Sequence, residues 1–125
     1  MLNKIKGEMN RIQNRIASLT TEIAQLTQQG TSSGKEYWRI EEGKKGERKI
    51  LYILYPMKGG KRRKEYIGTQ EYKIKEAQAR MERYEQREIL VRALQRNEAK
   101  LAQAEKALSD VLDILTGKKD QYRLF

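Results

Sequence analysis

An apolar side chain recurs at alternating intervals of three and four residues along the first 26 residues of the chain. The stripe consists of Leu2, Ile5, Met9, Ile12, Ile16, Leu19, Ile23 and Leu26, and the positions between them are almost all polar. This spacing is the a/d pattern of a coiled-coil helix, because it places every apolar residue on one side. We therefore predict a coiled-coil helix in residues 1–30, ending at Gly30.

A second heptad stripe occupies the C-terminal half of the chain. Leu94, Leu101, Leu108 and Leu115 recur every seven residues, and residues 70–116 contain neither Gly nor Pro. This pattern predicts a long coiled-coil helix in residues 70–117, with Gly117 as its C-cap. A tail, residues 118–125, follows it.

Between the stripes, in residues 31–69, the pattern changes to strand-like segments. KEYWRIEE, RKILYILYPM and RRKEYIG are rich in aromatic and β-branched residues, and the glycine-containing turns GKKGE and KGGK separate them. Such an order predicts an antiparallel three-stranded meander. The predicted fold class is α+β: a long antiparallel α-helical coiled-coil hairpin with a small three-stranded antiparallel β-sheet inserted between the helices.

Positive charge is concentrated in the predicted sheet. The chain has a net charge of +10, and residues 35–68 hold 11 cations and 5 anions, whereas residues 69–116 hold 9 of each. Dense like charge is self-repelling unless an anionic partner meets it, so a polyanion is expected. If Ile67 points toward the core, alternation along the three strands defines an opposite, outer face. Its predicted members are Tyr37, Arg39, Tyr52, Arg62, Lys64 and Tyr66. Together with Lys61 and Arg63 these are the predicted nucleic-acid-binding residues.

The residue types present exclude several kinds of chemistry. Neither Cys nor His occurs, which excludes disulfides, thiol nucleophiles and imidazole acid–base catalysis. The sequence also lacks a Walker-type or GxGxxG phosphate loop. We expect a protein that is not an enzyme and that uses no metal or cofactor.

The unequal helix lengths predict self-association. If the helices pair from the sheet end, the first covers the second only to about residue 97, at 1.5 Å per residue. Five apolar side chains would then stand in water: Leu101, Leu108, Val111, Leu112 and Leu115. Their burial against another subunit predicts a homo-oligomer, a dimer or a tetramer.

The segment EYWRIEEG…RKILYILYPMKGGKRRKEYIGT resembles the three-stranded DNA-reading sheets of tyrosine-integrase arm-binding domains and AP2-type domains. It also resembles short proteins of bacterial mobile elements and phages, in which such a sheet precedes a long charged helix. The resemblance implies groove-facing roles for Arg39, Arg62 and Lys64. The chain departs from the integrases by its long coiled-coil flanks and by lacking a catalytic domain.

Two further resemblances concern the element order and the tail. The helix–sheet–helix order resembles prefoldin subunits, although the basic sheet and its third strand depart from that family. The C-terminal QYRLF is similar to the bacterial sliding-clamp-binding peptide at Gln121, Leu124 and Phe125, whereas Tyr122 and Arg123 depart from it. That similarity implies docking on a sliding clamp.

These observations lead us to expect a non-enzymatic DNA-binding protein that bridges, organises or regulates DNA. It would bind duplex DNA, in preference to RNA, through the tyrosine-rich sheet and oligomerise through coiled coils. One alternative is a prefoldin-like or structural coiled-coil scaffold or chaperone. Another is an accessory protein that binds single-stranded nucleic acid or a sliding clamp. Because no apolar run approaches a signal peptide or a membrane span, a cytoplasmic location without a membrane partner is expected.

Overall fold

The structure, a computed structural model, describes residues 2–117. Three strands lie between two helices in the chain order α1 (Leu2–Gln29), β1 (Lys35–Gly43), β2 (Gly46–Leu54), β3 (Lys64–Gly68) and α2 (Glu71–Leu115). The predicted α+β class, a helical hairpin carrying a three-stranded antiparallel sheet, is confirmed. Both helices end close to where the sequence predicts, since Gly30 and Gly117 adopt φ values of 98° and 75° that suit glycine at a helix C-terminus.

The sheet has the strand order β1-β2-β3, and both pairs are antiparallel. The β1–β2 register is unbroken from Lys35 opposite Leu54 to Gly43 opposite Gly46. Between β2 and β3 the register shifts, because Leu51 lies opposite Gly68 whereas Tyr52 lies opposite Tyr66. A bulge of this kind adds one residue to a strand and increases the local twist.

The β2–β3 hairpin closes with a two-residue turn. The backbones of Lys58 and Lys61 exchange two hydrogen bonds of 2.8 and 3.1 Å. Gly59 and Gly60 between them have φ values of 59° and 75°, as a type I′ turn requires. Because the chain between Leu54 and Lys64 forms this hairpin end, β2 and β3 are shorter there than the sequence predicts.

Residues 23–89 form one compact unit, which contains the sheet. Its core consists of Leu51, Ile53, Ile67 and Ala77, with Tyr55, Ile74 and Met81 packed against it. One face of the sheet is therefore covered by the first three turns of α2. The end of α1 meets α2 beyond these turns, where Arg83 Nε donates to the carbonyl of Gly30 at 2.7 Å.

The other compact unit combines residues 2–22 with residues 90–117. Ile12 and Leu19 of α1 are buried in it. The sequence predicts that five apolar residues near the end of α2 are exposed in a single copy of the chain. This is wrong for Leu101, Leu108 and Val111, which are half-buried. The physical reason is that the sheet, not α1, occupies the first turns of α2, so α1 covers a later part of that helix.

Within residues 2–117, neither helix combines the length and apolar character needed to cross a bilayer.

Candidate nucleic-acid interface

Three tyrosines from the three strands form a row across one face of the sheet. Tyr37 of β1 lies opposite Tyr52 of β2, which lies opposite Tyr66 of β3. The ring centroids are 6.3 Å apart for the first pair and 5.5 Å for the second, and both pairs are tilted or edge-on, the geometry that aromatic quadrupoles favour. We call the sheet face that carries these residues the tyrosine face. The opposite face, packed on α2, is the helix face.

Lys64 lies over this row. Its Nζ is 5.1 Å from the ring centroid of Tyr52 and 5.5 Å from that of Tyr37, within cation–π range. Among residues 2–117, no carboxylate pairs with Lys64. The ammonium is thus positioned by neutral rings, and its charge remains available to an external anion.

The two faces of the sheet carry opposite charges. Strand alternation places Lys35, Arg39, Arg48 and Lys64 on the tyrosine face, with Glu41 as the one carboxylate there. The other four carboxylates of the sheet, Glu36, Glu42, Glu47 and Glu65, lie on the helix face, beside Lys49. The separation concentrates positive potential on the face where the tyrosines lie.

Arg39 belongs to the tyrosine face, as the sequence predicts, but it has an internal partner. Its Nε lies 3.8 Å from Glu41, which also accepts a hydrogen bond from Arg48 at 3.2 Å. Both arginine side chains are more than half exposed. Exposed pairs of this kind contribute little stability, so an external phosphate can compete for these cations.

A polar network on the helix face fixes the start of β3. The Tyr55 hydroxyl donates to Glu65 at 2.7 Å, and Arg80 Nη2 donates to the other oxygen of that carboxylate at 3.2 Å. The hydrogen bond from Tyr55 lowers the pKa of Glu65 below its usual value; burial opposes this, and Arg80 adds to the lowering. Ser32, which is buried, donates to the Tyr55 hydroxyl at 3.3 Å.

The remaining predicted binding residues lie at the β2–β3 hairpin end. Lys61 flanks the turn, and Arg62 lies exposed between the turn and β3. Arg63 does not share the tyrosine face, because its guanidinium lies 4.2 Å from the ring centroid of Tyr55, which belongs to the helix-face core. The structure thus divides the predicted residues into two groups: the tyrosine face and the hairpin end.

Sequence reasoning missed two residues at the hairpin end. Lys58 faces Lys61 across the turn, and Tyr55 supports Arg63. The signal for Lys58 was its position directly before the glycine pair, since the residues on either side of a type I′ turn pair with each other. The signal for Tyr55 was alternation from Leu51 and Ile53 along β2.

The clamp-docking residues Gln121, Leu124 and Phe125 lie outside the described residues. Within residues 2–117, no group of three or more acidic side chains could hold a metal ion. No protein-family profile, curated protein sequence or solved structure matches the chain.

Proposed function

We propose that this protein is a non-enzymatic DNA-binding protein whose tyrosine face binds duplex DNA. The observation that carries the proposal is the separation of charge in the sheet: the three tyrosines share a face with four strand cations, and four of five carboxylates lie on the other face. Lysine and arginine suit phosphate oxygens, and a sheet can enter the major groove.

The position of Lys64 supports phosphate contact in particular. An ammonium held over two rings keeps its charge while losing little side-chain freedom on binding. Tyr66, which is 64% exposed at the edge strand, can donate its hydroxyl to a phosphate or a base edge. Duplex DNA is favoured over RNA in this proposal because the deep, narrow groove of A-form RNA does not admit a sheet.

Self-association through the helices completes the proposal. Leu112, Ile114 and Leu115 are 45%, 61% and 65% exposed at the end of α2, and their burial against further copies of the chain favours a dimer or a tetramer. An assembly with several sheets binds DNA multivalently, which raises its effective affinity and suits bridging, organising or regulating DNA.

The salt dependence of duplex binding tests the proposal. For the unmodified protein, we expect the logarithm of the binding constant to fall steeply with the logarithm of salt concentration, since each phosphate contact releases counterions. Arg62→Ala/Arg63→Ala/Lys64→Ala should flatten this slope. Unchanged affinity and slope in the triple variant would overturn the assignment.

A pair of single variants tests which face binds. Lys64→Ala removes a cation from the tyrosine face, and Lys49→Ala removes one from the helix face, where Lys49 lies beside Trp38 and Ile40. We expect the first to lower the slope by about one and to weaken binding to all sequences equally. The second should change both quantities much less; equal effects would argue against the tyrosine face.

One observation favours the alternative of a protein scaffold or chaperone. Trp38 and Ile40 are 40% and 58% exposed on the helix face, and exposed apolar side chains of this size can bind other proteins. Under this alternative, the protein suppresses aggregation of an unfolded client and has no affinity for DNA. Measuring both properties on one preparation decides between the two functions.

A further inference from the structure

An open cleft of about 700 Å³ lies at the end of the β2–β3 hairpin. We call it the tip cleft; Tyr55, Met57, Lys58, Lys61, Arg62 and Arg63 are among the residues that line it. Its volume is in the range of sites for small organic ligands. Tyr55 and Arg63 belong to the helix face, so the tip cleft is distinct from the row of tyrosines.

Four cations line the tip cleft, and of these the charge of Arg63 acts on Glu65, where it helps to lower the pKa of that carboxyl. Lys58 and Lys61 are held opposite each other by the two backbone hydrogen bonds of the turn. Among residues 2–117, neither these lysines nor Arg62 and Arg63 form an ion pair with a carboxylate. Like charges so close together favour a ligand that carries at least one anionic group.

One of these cations lies over an aromatic ring. The Arg63 guanidinium lies 4.2 Å from the Tyr55 ring centroid. Tyr55 is itself fixed by its hydrogen bonds with Glu65 and Ser32. Because Arg63 is exposed, a ligand can reach its guanidinium. Guanidinium planes stack on nucleobases.

The rest of the lining is apolar. Pro56 and Met57 border the tip cleft, and Met57 is 61% exposed. A small inorganic anion would gain nothing from these side chains, whereas a ligand that joins a flat, weakly polar ring to a phosphate uses both kinds of lining. A nucleotide has this composition. A base in a duplex hides both of its faces in the stack, so the nucleotide must be unpaired.

We propose that the tip cleft binds an unpaired nucleotide of a DNA strand, with the base stacked on Arg63 and the phosphates held by Lys58, Lys61 and Arg62. The inference rests on the proposed function in that the ligand is DNA, but it assigns a second site on the opposite face of the sheet. The protein would therefore favour duplexes that carry a single-stranded extension.

Fluorescence anisotropy with three labelled probes tests this inference: a blunt duplex, the same duplex with a four-nucleotide thymidine overhang, and the same duplex with a four-residue abasic overhang. We expect the thymidine overhang to raise affinity over the blunt duplex roughly fivefold or more, as stacking of one base predicts. The abasic overhang, which has the phosphates without the bases, should recover little of this gain.

Two variants assign the preference to the tip cleft. Arg63→Lys keeps the charge but removes the flat stacking surface, so the ratio of overhang to blunt affinity should fall close to one. Lys44→Ala/Lys45→Ala removes two cations from the other hairpin turn, at the β1–β2 end, and should leave that ratio unchanged. Circular dichroism checks that both variants retain the fold.

The outcomes separate this inference from the proposed function. Two results overturn the tip-cleft inference alone. One is blunt-duplex binding without a preference for the overhang, and the other is an affinity gain from the abasic overhang equal to that from the thymidine overhang. Binding of the duplex with the thymidine overhang that Arg63→Lys weakens, without any blunt-duplex binding, supports the tip-cleft inference and overturns the duplex proposal. An absence of binding to all probes overturns both.

Discussion

Glu65 joins three separate segments of the chain through a single carboxylate. It accepts hydrogen bonds from Tyr55, which follows β2, and from Arg80 in α2, and Tyr55 in turn accepts one from Ser32 of the loop after α1. These contacts place the hairpin end against α2, and they leave the Arg63 guanidinium stacked on a ring that is itself held in place. The orientation of the proposed nucleotide site therefore depends on a polar network in which Tyr55 lines the tip cleft and holds Arg63, whereas Glu65 and Arg80 act through Tyr55.

The network predicts how stability depends on pH. Tyr55 and Arg80 lower the pKa of Glu65 below its ordinary value of 4.5, so the folded state binds this proton less readily than the unfolded chain. The stabilising contribution is complete above the unfolded pKa and is lost as the pH falls through the lower, folded pKa.

Comparing the protein with Glu65→Gln by urea unfolding from pH 7 to pH 3 measures this contribution. We expect the stability difference between them to be largest above pH 4.5 and to shrink below it. A difference that stays constant across this range would show that the charge on Glu65 is not the stabilising feature.

Gly34 is a second residue-scale constraint. A Cβ at this position would lie 2.1 Å from Ile53 Cγ2 and 3.1 Å from the Leu54 carbonyl oxygen. We expect Gly34→Ala to lower the free energy of unfolding by about 1–3 kcal/mol, because the buried Ile53 must move. Gly7→Ala is the control: nothing lies within 4 Å of its Cβ, and alanine inside a helix should raise stability by about 0.5–1 kcal/mol. Urea unfolding of both variants checks the opposite signs.

At the scale of elements, β2 serves two surfaces at once. Leu51 and Ile53 point to the helix face and are completely buried against α2, whereas Tyr52 between them belongs to the tyrosine face. The bulge opposite Leu51 and Tyr52 allows β3 to supply Tyr66 to one face and the buried Ile67 to the other. Packing on α2 thus fixes which side of the sheet is left for a ligand.

Truncating one residue on the helix face tests this packing. Leu51→Ala should cost about 2–5 kcal/mol, because it leaves a cavity beneath α2. Ile40→Ala changes the same face where α2 does not cover it, since Ile40 is 58% exposed, and should cost less than about 1 kcal/mol. Comparable costs in urea unfolding would contradict the assignment of the core to the α2 end of this face.

For the whole molecule, the distribution of charge and apolar surface separates two tasks. The segment of residues 35–68 carries +6 of the net charge of +10, and the end of α2 carries the exposed leucines. In the proposed function, the first binds DNA and the second joins copies of the chain. Substitutions in residues 35–68 therefore test DNA binding, and substitutions at the end of α2 separately test association between copies.

Native mass measurement tests the second task. Leu112→Asp/Leu115→Asp places charge on the exposed apolar end of α2, and we expect it to convert an oligomer into a monomer, because carboxylates resist burial. Ala99→Asp/Gln103→Asp adds the same charge at exposed positions of the same helix and should leave the mass unchanged. A monomeric mass for the unmodified protein would refute oligomerisation.

Local patterns in the sequence determined most of the elements of this protein. The heptad stripes predicted α1 almost to the residue and α2 within one or two residues, because an amphipathic helix repeats its burial pattern every turn or two. Alternation likewise predicted that Tyr37, Tyr52 and Tyr66 share a face. Only the tertiary structure decided that the sheet covers the first turns of α2, and that Arg63 stacks on Tyr55 away from the tyrosine face. These are contacts between distant segments that compete for the same helix surface, and periodicity within one segment carries no information about which of them prevails.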